Sequence, residues 1–281
     1  MYKIILNYIH FIKSQLLITK AKTSFLNRVK IISASFFKIF LKPLQLLDKD
    51  FYFKIRYPVI YFFYKDLIIR LDNKKFKVRD DIDLMTILAD EKIDHIFKEK
   101  GKILLDIGAH IGKYSILYSD FYDKIYAFEP EPDNFEYLKK NVKLNNLENK
   151  IMPLNLSVAD KNEFMDFFIS PYSVTHSLVK QETEKKIKVK CIKLDDFIKE
   201  NNINPYDIKL IKIDVEGAEN LVLKGLEKSF NVLKCKFIIE IWEDNLENKS
   251  FIKEFLKKFN YKLEKIHGDY YLAYYENSSN K

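Results

Sequence analysis

Apolar positions recur along this chain with two different periods, and the change between them divides it. Over residues 1–47, Ile5, Ile9, Ile12 and Leu16, and then Phe25, Val29, Ile32 and Phe36, follow the i, i+4, i+7, i+11 spacing of a single helix face, with lysines between. The spacing predicts two helices, the second ended by Pro43. Residues 51–64 crowd aromatic side chains around Pro58, which suits core packing, with a substrate or membrane contact as the alternative. Apolar runs at 67–71 and 76–78 flank DNKK and predict a small hairpin. Asp81 or Asp83 then serves as cap for a helix over 84–97 that stops near Gly101.

From Gly101 onward, short apolar runs alternate with helical patterns. Strands are predicted over 102–106, 124–129, 151–156, 208–214 and 236–242. Helices are predicted over 112–120, 133–145, 217–224, with Gly225 at the C-cap, and 249–259. Two further runs, 164–169 and 187–194, flank a polar loop that holds His176 and read as an inserted hairpin. The closing runs 261–266 and 270–275 are linked by HGD, which predicts an antiparallel pair. Residues 277–281 read as a loose tail. The whole is an α/β fold with a mostly parallel sheet, an antiparallel closing strand and an N-terminal helical extension.

The candidate chemistry centres on residues 102–115, KILLDIGAHIGKYS, read as strand, glycine turn and helix. The chain has only six glycines, yet Gly108 and Gly112 both fall directly after this strand. Glycine takes positive φ and admits a ligand where a Cβ would collide. The position two after Gly108 is His110, so the G-x-G-x-x-G dinucleotide fingerprint fails. Asp106, at the strand end, would repel a pyrophosphate and attract an ammonium, which fits the amino-acid end of S-adenosylmethionine. The next strand ends in Glu129, at about the offset where an acid takes the ribose hydroxyls of an adenosine.

Charge changes this picture only at the N-terminus. Lys3, Lys13, Lys20, Lys22, Arg28, Lys30, Lys38 and Lys42 lie in residues 1–47 with no acid among them, while the chain as a whole is +8. The rest is neutral, so no nucleic-acid footprint is expected on the catalytic region. Residues 1–47 have no apolar run long enough to cross a bilayer and no cleavable signal, and the expected location is cytoplasmic. Two roles are open to them: packing on the domain or on a second subunit in a homo-oligomer, or lying on an anionic membrane as a peripheral contact. Cys191 and Cys235 lack metal-ligand spacing and read as buried thiols of a reducing compartment.

With these residues in place, the chain resembles the FkbM family of S-adenosylmethionine-dependent methyltransferases. The resemblance runs from about Leu67 to Tyr275, through LLDIGAHIGKYS, YAFEPEPDNFEYLKKNVKLNN, IKLIKIDVEGAENLVLKGL and FIIEIW. It implies a Rossmann-like class I methyltransferase sheet, a domain over 67–281 with its core at 101–275 preceded by an extension over 1–66, and transfer to a hydroxyl on a saccharide or small-molecule acceptor. The family usually has asparagine where this chain has His110.

Asp106, Gly108, Ala109, His110, Gly112 and Glu129 are therefore the expected cofactor-binding residues, with Ser157 after the third strand as an adenine contact. The bland reading of the turn is structural, a tight bend with a packing carboxylate. Asp214 and Glu216 end the strand that should neighbour the first one and are the expected catalytic residues, with His176 as a further candidate base. Such carboxylates suit a substrate hydroxyl, a general base or a metal ion, and no metal is assigned. Glu240 and Trp242 are placed on the acceptor side. A silent cofactor-binding module and a NAD-linked oxidoreductase are the alternative functions.

Overall fold

A computed structural model describes residues 22–43, 45, 49–65, 67–89, 91–170, 176–179 and 185–276. The first predicted helix, the segments around the His176 loop and the C-terminal tail lie outside these residues wholly or in part. The chain divides into two compact units, residues 1–89 and 90–281.

In the first unit, helix α1 (Phe25–Leu41) starts at Ser24, whose hydroxyl accepts from the Asn27 N–H, and ends just before Pro43. Helix α2 (Lys49–Tyr64) carries Pro58 in its interior. Strands β1 (Leu67–Leu71) and β2 (Lys74–Val78) form the predicted hairpin, followed by helix α3 (Asp81–Leu88). The cap of α3 is Asp80, whose carboxylate accepts from the N–H groups of Ile82 and Asp83, so the helix begins earlier than expected and ends at Leu88. The hairpin belongs with the helices because Thr23 and Asn27 both donate to the Ile68 carbonyl and the Arg70 N–H donates to the Lys22 carbonyl. Hence the division between units falls after Ala89, downstream of the sequence boundary at 66.

Inside this unit the Asp81 carboxylate pairs with Lys38 at 3.2 Å and Arg56 at 2.7 Å, and all three side chains are buried. Burial alone would raise the Asp81 pKa, but the two cations outweigh it and hold it low. Removing one partner of a buried ionic group leaves uncompensated charge.

The second unit opens with the short helix α4 (Asp94–Phe97) and the strand β3 (Gly101–Ile107), then α5 (Lys113–Leu117), β4 (Tyr122–Phe128), α6 (Pro132–Leu144) and β5 (Ile151–Leu154). Next come β6 (Ser157–Val158), β7 (Phe164–Phe168), β8 (Lys186–Ile192) and α7 (Leu194–Glu200). The chain closes with β9 (Ile208–Ile213), α8 (Glu219–Lys224), β10 (Lys236–Glu240), α9 (Leu246–Lys258), β11 (Tyr261–His267) and β12 (Tyr270–Tyr275). Seven strands make one sheet in the order β11-β12-β10-β9-β3-β4-β5, parallel except for β12, which runs against both its neighbours. This is the Rossmann-like class I methyltransferase arrangement. The inserted hairpin β7–β8 forms a separate small sheet with β6.

The middle strands are apolar on both faces, as a sheet covered on both sides requires. Leu104, Leu105, Ile107, Ile125, Phe128, Ile211 and Ile213 are all buried. Their register decides where the chemistry lies: Ile107 pairs with Phe128 on one side and with Ile213 on the other. The three strands thus end level, and Gly108, Glu129 and Asp214 follow side by side. Strand order also reverses between β3 and β9, which opens a ligand crevice there.

Gly108 has φ +80°, and a Cβ on it would lie 1.7 Å from the Asp214 carbonyl oxygen. Gly112, at φ +94°, packs where a Cβ would lie 2.7 Å from Leu138. Both glycines therefore serve the close approach of protein to protein. Gly225 is the C-cap of α8, as expected, but in the right-handed region at φ −68°; glycine is needed there because a Cβ would lie 2.1 Å from the Ala159 carbonyl oxygen.

Two outcomes follow in thermal or denaturant melts of the full chain. Gly108→Ala should cost about 3 kcal/mol or more, through positive φ and a collision with backbone. Asp81→Ala should destabilise the first unit by about 3 kcal/mol, and a loss below about 1 kcal/mol would contradict the ionic account.

Candidate active site

The turn after β3 is closed onto the end of β4. The N–H groups of Gly108 and Ala109 both donate to the Phe128 carbonyl, at 3.0 and 2.9 Å. His110, in the left-handed region at φ +50°, donates its N–H to Glu129 Oε2 at 2.9 Å. Glu129 Oε1 accepts from the Glu131 N–H at 3.0 Å and from Asn134 Nδ2 at 3.3 Å. Burial raises the Glu129 pKa to about 7, against the pull of these donors. The expected cofactor residues of the two strands thus meet through one carboxylate.

Asp106 has a different part from the expected one. It is 0% exposed, its Oδ2 accepts from the Ser115 hydroxyl at 2.6 Å and the Ser115 N–H at 3.2 Å, and its Oδ1 lies 3.5 Å from Lys212 Nζ. It ties the turn to α5 and to β9, and presents no surface to a ligand. Ser157 sits in β6, buried, opposite Cys191 in the ladder. The side chain from this connection that reaches the β4 end is Asn155, whose amide donates to the carbonyls of Glu129 and Pro130, both at 2.9 Å.

Across the switch point, Asp214, Glu216 and Glu240 bring carboxylate oxygens within 4.8 Å of one another. Glu216 has φ +58° and Gly217 φ +96°, so the β9 loop bends sharply back. A left-handed glutamate is costly, of order 1–2 kcal/mol, and the bend keeps its side chain beside Asp214. Glu219 steadies the bend, accepting the Gly217 N–H at 2.9 Å and pairing with Asn248.

The cation that balances these acids is Lys212, which sequence reasoning passed over as a polar residue in a strand. Its ammonium is 1% exposed, 3.1 Å from Asp214 Oδ2, and donates to the Gly108 carbonyl at 3.1 Å. Burial alone would lower its pKa, but Asp214 and Asp106 raise it. Burial likewise would raise Asp214, and Lys212 holds it low instead. Glu216 is pushed up to about 9 by burial and by Asp214, and Glu240 to about 11 by burial and by its hydrogen bond and charge contact with Asp214. At neutral pH the group therefore holds one carboxylate anion, two carboxylic acids and one ammonium. Tyr270, opposite Glu240 in the ladder, is a second missed neighbour, its phenol held neutral by burial and by the charge of Asp214.

The Nδ1 of His176 accepts the Ser170 N–H at 3.0 Å, and its ring packs edgewise on Phe167. The adjacent Ser177 donates to the Val215 carbonyl of the β9 loop at 3.3 Å. The Trp242 ring borders Gly217, where a Cβ would lie 3.9 Å from it.

Comparison with known proteins adds the lineage. A sequence profile of the methyltransferase FkbM domain matches residues 106–263. The hexuronic acid methyltransferase AglP of Haloferax volcanii is 28% identical over 166 residues, covering 58% of this chain and 63% of that protein. The match thus spans less than two thirds of that relative. Methyltransferase sdnD of Sordaria araneosa is 25% identical over 228 residues, covering 66% of this chain and 88% of that protein. Among solved structures, the FkbM methyltransferase of Methylobacillus flagellatus superposes with a TM-score of 0.44 at 15% identity, covering 96% of this chain and 60% of that one. With the profile covering more than half of its length, the β3 turn, the β4 acid and the β9 carboxylates included, the chain belongs to the methyltransferase FkbM domain family.

Proposed function

We propose that the second unit transfers a methyl group from S-adenosylmethionine to a hydroxyl oxygen of a saccharide or small-molecule acceptor. The observation that supports this reading is the level ending of β4, β3 and β9, which sets Glu129 on one side of the turn and Asp214 on the other. The family and the hexuronic acid specificity in the name of the Haloferax relative support it.

The donor fits these residues by hydrogen bonding. Carboxyl groups at Glu129, Asp214, Glu216 and Glu240 suit the diol and ammonium of a sulfonium nucleoside, and the absence of glycine at position 110 weighs against a pyrophosphate and so against the NAD-linked alternative. When bound, S-adenosylmethionine supplies an electrophilic methyl carbon. Glu129 is the residue to hold its ribose diol, the His110 turn borders it, and Asp106 acts indirectly by fixing that turn.

The acceptor oxygen must lose its proton as it is methylated. Asp214 is the carboxylate that stays charged at neutral pH, so it is the group to receive that proton. Glu216 and Glu240, being protonated, can donate hydrogen bonds to acceptor oxygens and keep the site from accumulating negative charge. Lys212 holds Asp214 in place. Alignment of oxygen, methyl and sulfur supplies the larger share, roughly 7 to 11 kcal/mol in well-oriented reactions.

Calorimetric titration should show binding of S-adenosylmethionine and none of NAD, with Glu129→Ala weakening the former by about tenfold or more. Unchanged affinity in that variant, or NAD binding, would refute the cofactor assignment. In assays over hexuronic acids and other hydroxylated acceptors, Asp214→Asn should lower kcat by about a hundredfold while the cofactor Kd changes little. A variant with full kcat would remove Asp214 from the chemistry.

A pH test follows from Glu216. Its folded pKa of about 9 lies above the ordinary 4.5, so the stability tied to its neutral form is complete below 4.5 and is lost as pH rises toward 9. Glu216→Gln, always neutral, should therefore gain on the parent protein with rising pH, by about 2 °C or more in Tm between about pH 5 and about pH 8.5. A pH-independent difference would mean that Glu216 is ionised throughout.

A further inference from the structure

In the first unit, the α1 face that carries the large apolar residues points away from the protein. The buried positions of this helix are Ile31, Ala34, Ser35 and Lys38, a set containing one large hydrophobe and a charged group. Phe25, Val29, Ile32, Phe36 and Phe40 are exposed, with Phe25 at 84%, Phe36 at 70% and Phe40 at 73%. At 3.6 residues per turn these five fall within about 80° of arc, a continuous stripe along some 25 Å of helix. The periodicity that identified the helix is thus real, but it marks the outer face. The apolar surface continues through Phe37, whose ring lies 5.6 Å from Phe63 of α2, to the exposed Phe62 beside it. Exposed patches of this kind mark interaction sites.

Charge identifies what covers it. Arg28 and Lys30 flank the stripe on its two sides, and residues 1–47 contain no acid. A second copy meeting this face about a twofold axis would bring the same basic borders together with no carboxylate on the helix to answer them. A surface that is apolar beneath and anionic above meets both demands. No described helix is long and apolar enough to cross a membrane, so the contact would lie along the interface.

We propose that the exposed face of α1, with the adjoining end of α2, is a peripheral membrane-binding surface that lays its aromatic stripe into the outer layer of an anionic lipid bilayer while Arg28 and Lys30 meet the headgroup phosphates. The inference rests on the first unit alone and stands whether or not the methyl-transfer reading holds. Its consequence is that the catalytic unit, covalently joined to this anchor, works tethered to a lipid surface.

Flotation of the full chain with phosphatidylcholine vesicles, with and without phosphatidylglycerol, tests this without reference to activity. Binding should require phosphatidylglycerol and weaken with salt. Phe36→Ser/Phe40→Ser and, separately, Arg28→Gln/Lys30→Gln should each reduce partitioning by about tenfold or more. Arg28, Phe36 and Phe40 are exposed and Lys30 is half-buried, so both variants should keep the parent melting temperature, and if one fails to fold the other decides the outcome. Absence of flotation with anionic vesicles, or partitioning indifferent to both double substitutions, would overturn the proposal. So would a lipid-free dimer that the phenylalanine substitutions dissociate, because a second copy would then be the occupant.

Discussion

One buried ammonium governs the business end of the sheet. Lys212 touches Asp106 from the first strand of the sheet's centre, Asp214 from the end of its own strand, and the carbonyl of Gly108 between them. A lysine out of water is tolerated only when its charge is answered on several sides, and here the answering groups belong to two strands and a turn. The result is a rivet at the point where strand order reverses. At the same point the β3 turn and the end of β9 run so close that only glycine fits at 108.

The other electrostatic properties descend from that contact. Burial raises the pKa values of Glu216 and Glu240, and the charge of Asp214, held low by Lys212, raises them further. Separate pKa values for chemically similar acids let one group act as acceptor of protons while its neighbours donate hydrogen bonds. On the far side of the turn Glu129 meets N–H donors that pull its pKa down, but burial outweighs them and raises it. Burial thus wins at Glu129 and a paired ammonium wins at Asp214, which gives opposite behaviour in carboxylates at the ends of strands in one sheet.

The first unit obeys the same electrostatics with a different outcome. Asp81 is buried against Lys38 and Arg56, which spends the charges of α1's inner side on internal pairing and leaves its large hydrophobes outward. A helix of this type reads in the sequence as an ordinary amphipathic segment, since periodicity reports that a stripe exists and not which way it turns.

Much of the second unit was legible from the residues. The alternation of apolar runs and helical patterns predicted the strand and helix order, because each element carries its own period, and the D-x-G-x-x-x-G turn and the acid of AFEP located the crevice, because close approach and positive φ demand particular residue types. What the chain could not disclose from local pattern were the partners: that Asp106 turns inward to Ser115 and Lys212, that Gly108 makes room for the Asp214 carbonyl, that His176 accepts from the Ser170 N–H, and that Lys212 is a core residue. Those depend on which strands lie side by side and in what register. Local spacing carries information about a residue's own backbone, whereas the charge state of a buried acid and the direction of an apolar face are set by atoms a hundred residues away, and only the folded chain brings them within reach.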